Sequence, residues 1–274
     1  MSRIDPKDYE ARIGQVTTRL GGFFPGHSAR VRGHDLHEFA VDKRWFDLYL
    51  FSLTGRQFAE REVDLLEALW TYTSYPDPRI WNNRVAALAG SSRASAALGI
   101  GAAIAVTDAD IYGLGPCLAA FDFIGEHVAD TDETLLQAAT TKLRRERRLG
   151  GYGRPVVAED ERIAPTLAKA RALGLADGPH VRTAFRLEAL LAEGRWRMRM
   201  NYAALCSAIH LDIGVTRDDY ECILATIFLG GMPPVWKEHN QEPAGGLFPI
   251  PVNALKYDGQ IPRPWPSESV HPEN

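Results

Sequence analysis

From residue 45 onward the apolar positions recur at the spacing of an α-helix. Phe46, Tyr49, Leu50 and Leu53 fall at i, i+3, i+4 and i+7, and Gly55 closes the run. Residues 60–72 follow the same rule, with Val63, Leu66, Leu69 and Trp70 on one face, before Ser74-Tyr75-Pro76-Asp77-Pro78 breaks it. The small-residue run ASAALGIGAAIAV, 94–106, allows close helix packing, and Ser91 or Ser92 is expected to cap it. Asp130 or Asp132 opens a helix through Leu135, Leu136, Ala139 and Leu143 that ends in the basic run 144–148, where cations suit the helix dipole. Further amphipathic stretches cover 164–173, 180–192, 203–211 and 216–231. The first 40 or so residues read as irregular, with turn signals at Gly21-Gly22 and Pro25-Gly26, and the Pro- and Gly-rich tail from Pro243 reads as extended. Alternating strand patterns are nearly absent, so the expected class is all-α.

Composition narrows this little. A chain of 274 residues holds one large domain or two smaller ones. A net charge of -4 and a pI near 6.1 give no overall attraction to nucleic acid or an anionic membrane. No apolar run approaches the roughly 18 residues of a membrane span, and the polar N-terminus lacks a signal-peptide core. Cys117, Cys206 and Cys222 are few, odd in number and without CxxC spacing, which speaks against a disulfide framework or a thiolate zinc site. The expected setting is cytoplasmic. His34 and His37, at i and i+3, would share a helix face but have no third ligand, so no metal is expected. No GxSxG, phosphate loop or dinucleotide fingerprint is present.

Five segments, in order, carry a resemblance. They are Arg32-Gly33-His34-Asp35-Leu36 with Leu53-Thr54-Gly55; RVAALAG at 84–90; GYGRPVVAEDERIAPTLAKARALGL at 151–175; LDIGVTRDDYECILATIFLGG at 211–231; and Tyr257-Asp258-Gly259 with Arg263-Pro264. Together they resemble the citrate synthase superfamily, and the chain's length resembles its citryl-CoA lyase branch. The resemblance implies an all-α dimer with a large helical domain, 1–111 plus 205–274, and a small mobile one, 112–204. Substrate would lie between them. The implied chemistry joins or cleaves a carbon–carbon bond between a CoA thioester and a keto or hydroxy carboxylate, with no tightly bound cofactor.

The family's reactive positions are occupied by other residue types. Its first His falls at Tyr112 in Ile111-Tyr112-Gly113-Leu114-Gly115, its second at Arg154, and its Asp at Ala203 in Asn201-Tyr202-Ala203. A phenol donates a hydrogen bond but is a poor base near neutral pH. A guanidinium binds anions but moves no proton at pH 7. Ala203 offers nothing to an α-proton. Of three carboxylate-binding arginines the resemblance keeps Arg162 and Arg263, the latter reaching across the dimer, and places Phe228 at the third. Pro155 and Ala158 stand where the family often has basic residues near CoA phosphates, and the 144–148 run is a candidate replacement. Pro233-Pro234 is expected to kink a helix carrying Trp236.

Two expectations follow. One is a citryl-CoA lyase-like enzyme with divergent residues, Tyr112 and Arg154 taking the catalytic positions. The other is a catalytically silent homologue that binds a carboxylate on Arg154, Arg162 and Arg263, or serves as a regulatory or structural subunit beside a paralogue. Acyl-CoA, a small carboxylate and a second copy of the chain are the expected partners. The arginines are expected to lack paired acids.

Overall fold

The computed structural model describes residues 5, 7, 10–154 and 159–265. Pro155 and Ala158 lie outside them. Among the described residues, helices follow one another from Leu36 to Gln241, in keeping with the all-α expectation. The N-terminal segment is not irregular throughout. Gly21–Phe24, Ser28–Val31 and His34–Asp35 form a three-stranded antiparallel meander, with Gly21 opposite Val31 and Arg30 opposite Asp35. Its strands are too short and too exposed to show period-2 alternation, which is why the pattern missed them.

The helix ends follow local chemistry. Trp45–Thr54 stops at Gly55, whose φ of 75 is the left-handed conformation that glycine adopts without strain. The Arg32 guanidinium reaches back to donate to the Ser52 and Leu53 carbonyls at 3.0 and 2.9 Å. Two parts of the first matching segment thus meet as a helix cap. Ser95, not Ser91 or Ser92, caps Ala96–Ala105; Asp132–Glu146 opens at Asp132 as expected, with Thr131 as its cap. In both cases the hydroxyl directly before the helix accepts an N–H that the first turn leaves unpaired. Pro233 and Pro234 do not kink a helix. They sit in the first turn of Met232–Gln241, where a missing N–H costs nothing, and Leu229–Gly231 forms a separate 3-10 turn before it. His34 is on a strand and His37 in the short helix Leu36–Phe39, so they share no helix face; no metal-binding group occurs among the described residues.

The main core surrounds Tyr202–Asp212, which is buried on nearly every side. Leu114–Glu126, Pro179–Glu193 and Glu60–Thr73 pack their apolar faces into that core, with Leu65, Leu66, Leu69, Leu187 and Leu205 fully buried. A second, smaller core of Ala86, Ala103 and Met232 joins Trp81–Ser91, Ala96–Ala105 and Met232–Gln241, and Phe228 touches both. Trp236 packs there and donates to the Ala94 carbonyl at 3.2 Å. The 204/205 boundary falls within the first turns of Tyr202–Asp212, a helix continuous through it. No helix among the described residues is long and apolar enough to cross a membrane.

Candidate functional site

Glycine brings the three motif segments together. Gly151 has φ of 81, and a Cβ there would come within 2.6 Å of the Ala204 Cβ, so 149–153 lies directly on the first turn of Tyr202–Asp212. A Cβ on Gly150 would meet the Pro116 carbonyl at 2.6 Å, which sets the same segment against the start of Leu114–Glu126. Asn201 ties the join. Its Nδ2 donates to the Gly153 carbonyl at 2.9 Å while its Oδ1 accepts the Ala203 N–H at 3.0 Å. Asn201 is therefore the helix cap, and Ala203 follows it in the first turn with only a methyl group.

Arg162 lies beside this join, held bidentately by Asp160: Nε to Oδ1 and Nη2 to Oδ2, both 2.8 Å. The Asp160 side chain is fully buried and also accepts the Tyr202 N–H at 3.0 Å. Burial pushes the Asp160 carboxyl up, but the Arg162 hydrogen bonds and charge, with the Tyr202 N–H, outweigh it and leave the group below the usual carboxylate range. Burial likewise opposes the Arg162 charge, and Asp160 reverses the balance. The guanidinium stacks 4.5 Å from the Tyr202 ring centroid and 5.8 Å from that of Tyr75. Burial pushes the Tyr75 phenol up while Arg162 opposes the shift.

Arg154 is paired as well. Its Nη1 donates to Glu161 Oε2 at 2.8 Å and to the Glu159 carbonyl at 2.7 Å, and its Nε lies 3.8 Å from Asp160. The Arg154 hydrogen bond holds the Glu161 carboxyl below its ordinary value. The expectation of arginines without acids is thus not met: Asp160 and Glu161 sit among them. Both acids directly precede Arg162 in the sequence, but their spacing does not show which arginine each one reaches.

Tyr112 belongs to an aromatic cluster. It is half-exposed, stacks on Trp81 at 5.3 Å, and Trp81 meets Phe228 edge-on at 5.7 Å. Tyr112, Trp81 and Phe228 thus form one aromatic wall. The loop bearing Tyr75 joins wall to cations, because the Tyr75 carbonyl accepts Asn83 Nδ2 at 2.5 Å and packs against Gly231. Sequence reading did not single out Tyr75, Trp81 or Tyr202 as site residues. Arg263 is on the exposed C-terminal segment and is not among the contacts of Arg154 or Arg162.

No family profile matches the sequence. No curated protein matches it in sequence either. Solved structures do match. Citryl-CoA lyase from Hydrogenobacter thermophilus superposes with a TM-score of 0.79 at 19% identity, covering 92% of this chain and 97% of that one. The chain has the citrate synthase-like fold. ATP citrate lyase from Methanothrix soehngenii, solved with citrate and coenzyme A, gives a TM-score of 0.74 at 12% identity over 96% of this chain and 47% of its own. Citrate synthase from Thermoplasma acidophilum, solved with carboxymethyl coenzyme A and oxaloacetate, gives 0.64 at 18% identity over 82% and 60%. On this citrate synthase-like scaffold, the strip from Arg154 and Arg162 to Tyr112 offers cations, phenols and aromatic faces. Its carboxylates, Asp160 and Glu161, are engaged by arginine, which weakens them as bases.

Proposed function

We propose that this citrate synthase-like protein binds a small carboxylate, alone or as part of an acyl-CoA, and does not carry out carbon–carbon bond chemistry at an enzymatic rate. The observation that carries this reading is the pairing at the join: Ala203 has no acid or base, and Arg154 is committed to Glu161. Removing a weakly acidic α-proton needs a positioned base, worth roughly 10²–10⁴-fold. A carboxylate ligand would exchange with Glu161 on Arg154 and reach the outer edge of Arg162, its carbon skeleton lying along Tyr75 and the Tyr112–Trp81 wall. The experiment is titration calorimetry with a panel of di- and tricarboxylates against wild type, Arg154→Ala and Arg263→Ala, with melting curves to verify folding. Binding below about 1 mM, weakened at least roughly tenfold in Arg154→Ala, is the expected result. Equal binding by wild type and Arg154→Ala would remove the pocket.

The same proposal includes a homodimer, a division into a large and a small domain, and a cytoplasmic setting. Ala96–Ala105 turns Ala97, Leu98, Gly101, Ala102 and Ala105 outward, with Leu98 71% exposed, and no charged residue interrupts 94–107. The tail exposes Val252, Leu255, Ile261 and Trp265. Such surfaces suit a second copy, whose tail would bring its own Arg263 to the strip. A Cβ at Gly101 meets nothing within 4 Å, so Gly101→Arg leaves the subunit intact and is expected to shift sedimentation from dimer to monomer.

A second reading, bond formation or cleavage through Tyr112 and Arg154, draws on the likeness to citryl-CoA lyase along nearly all of both chains. Thiol release from acetyl-CoA with oxaloacetate separates the two.

A further inference from the structure

Asp132–Glu146 carries Leu136, Thr140 and Arg144 at four-residue intervals, a stripe that grades from apolar to hydroxyl to cation along the helix. Against it lies the end of Pro179–Glu193, with Leu190 half-buried and Leu191 fully buried. After Gly194 the chain leaves the helix in a turn at 195–196, and Trp196 packs on the main core together with Leu136 and Leu190. The stripe, the two leucines, Trp196 and Arg195 line a cavity of about 140 Å³. Arg144 and Arg195 are exposed, so the charge stands at its mouth and the leucines form its floor. An apolar cavity of about 150 Å³ holds one benzene ring.

The polar groups at this cavity are unspent. No acid lines it, and Arg144 and Arg195 form no ion pair among the described residues. Glu146, at the end of the same helix, is engaged by Lys142 at 3.6 Å and by Arg145. The Arg195 guanidinium lies over the Trp196 ring, 5.4 Å from its centroid, which holds the charge next to an aromatic face. Thr140 is the third such group. A helical threonine can turn its hydroxyl onto the carbonyl four residues back, as Thr54, Thr71 and Thr141 do onto Leu50, Glu67 and Gln137. Thr140 makes no such bond among the described residues, which leaves its hydroxyl available at the cavity wall. Two cations and a hydroxyl around an apolar space of one-ring size suit a flat ring bearing a single carboxylate. A longer chain would outgrow the volume, and a neutral ring would use none of the charge.

We propose that this cavity binds an aromatic monocarboxylate, its ring between Leu136, Leu190, Leu191 and Trp196 and its carboxylate on Arg144, Arg195 and the Thr140 hydroxyl. The site uses no residue of the Arg154–Arg162 strip, so it stands whether or not a carboxylate binds there.

The test is calorimetry with benzoate, acetate and benzyl alcohol against wild type, the double variant Arg144→Ala/Arg195→Ala, Thr140→Phe and Arg154→Ala, with melting curves to verify folding. Benzoate should bind below about 1 mM. Acetate, which keeps the charge, and benzyl alcohol, which keeps the ring, should each bind about tenfold more weakly or worse. Both cations are exposed, so the double variant should weaken benzoate about tenfold rather than abolish its binding. Thr140→Phe puts a ring of the protein's own into the cavity and should abolish benzoate binding without lowering the melting temperature. If Thr140→Phe melts early, the arginine pair, which lies outside the core, decides alone. Arg154→Ala should leave benzoate binding unchanged. No benzoate binding, acetate binding as tightly as benzoate, an unaffected double variant, full binding by a stably folded Thr140→Phe, or a loss in Arg154→Ala equal to that in the double variant each overturns the proposal.

Discussion

Two groups of arginines in this molecule live under different rules. Arg154 and Arg162 each have a carboxylate within 2.8 Å, and the Asp160 carboxylate is fully buried. Arg144 and Arg195 border a cavity with no acid of their own among the described residues. The first group holds the join between 149–153 and Tyr202–Asp212, and any ligand there competes with resident carboxylates. The second is exposed and contributes little to the fold. A guanidinium's position in a motif therefore says less about ligand binding than the acids that reach it.

The largest effect expected from this contrast is on stability. Asp160→Ala leaves the Arg162 charge mostly buried and unpaired, so chemical denaturation should show a loss of about 3–5 kcal/mol. A loss under about 1 kcal/mol would place Arg162 with the unpaired group.

His210 offers the opposite case, a buried group with no charge partner. It lies in the main core with its Nδ1 2.7 Å from the Cys206 carbonyl and its Nε2 unsatisfied. Burial lowers its pKa from 6.5 to about 4, with the Cys206 hydrogen bond opposing the shift. The unfolded chain binds the proton first, so stability present above pH 6.5 is lost as pH falls toward 4, on the order of 3 kcal/mol. Denaturation at a series of pH values measures it, and His210→Gln should flatten the profile across that window.

Smaller effects refine the contrast. The Glu161 side chain is 56% exposed, so its bond to Arg154 contributes at most about 1 kcal/mol. Glu161→Gln should tighten carboxylate binding by no more than about fivefold in calorimetry; weaker binding would mean that Glu161 orders the site rather than occupies it. Smallest of all, Arg144→Ala and Arg195→Ala should shift denaturation by less than about 0.5 kcal/mol.

The helical class and most helix spans were legible because 3.6-residue periodicity survives in long elements such as Glu60–Thr73. The meander of 21–35 was not, since strands of two to four residues leave no period. Motif order led correctly to the citrate synthase-like fold, and 149–153 lies on the first turn of Tyr202–Asp212, as the order of the second and third segments suggested. Side-chain pairing was harder to read. Nothing in the spacing of Asp160, Glu161 and Arg162 shows that the guanidinium turns back two residues onto Asp160 while Glu161 reaches Arg154. Trp81 joins Tyr112 only because the 107–113 loop folds over Trp81–Ser91, where Trp81 Nε1 donates to the Val106 carbonyl at 2.9 Å.

The central claim is that the Arg154–Arg162 strip binds a carboxylate without making or breaking carbon–carbon bonds, and thiol release tests it most directly. With saturating acetyl-CoA and oxaloacetate, the purified protein should release coenzyme A no faster than the uncatalysed mixture. Turnover near the typical enzymatic rate of about 10 s⁻¹, abolished in Arg154→Ala, would contradict the account and make Arg154 part of a working active site.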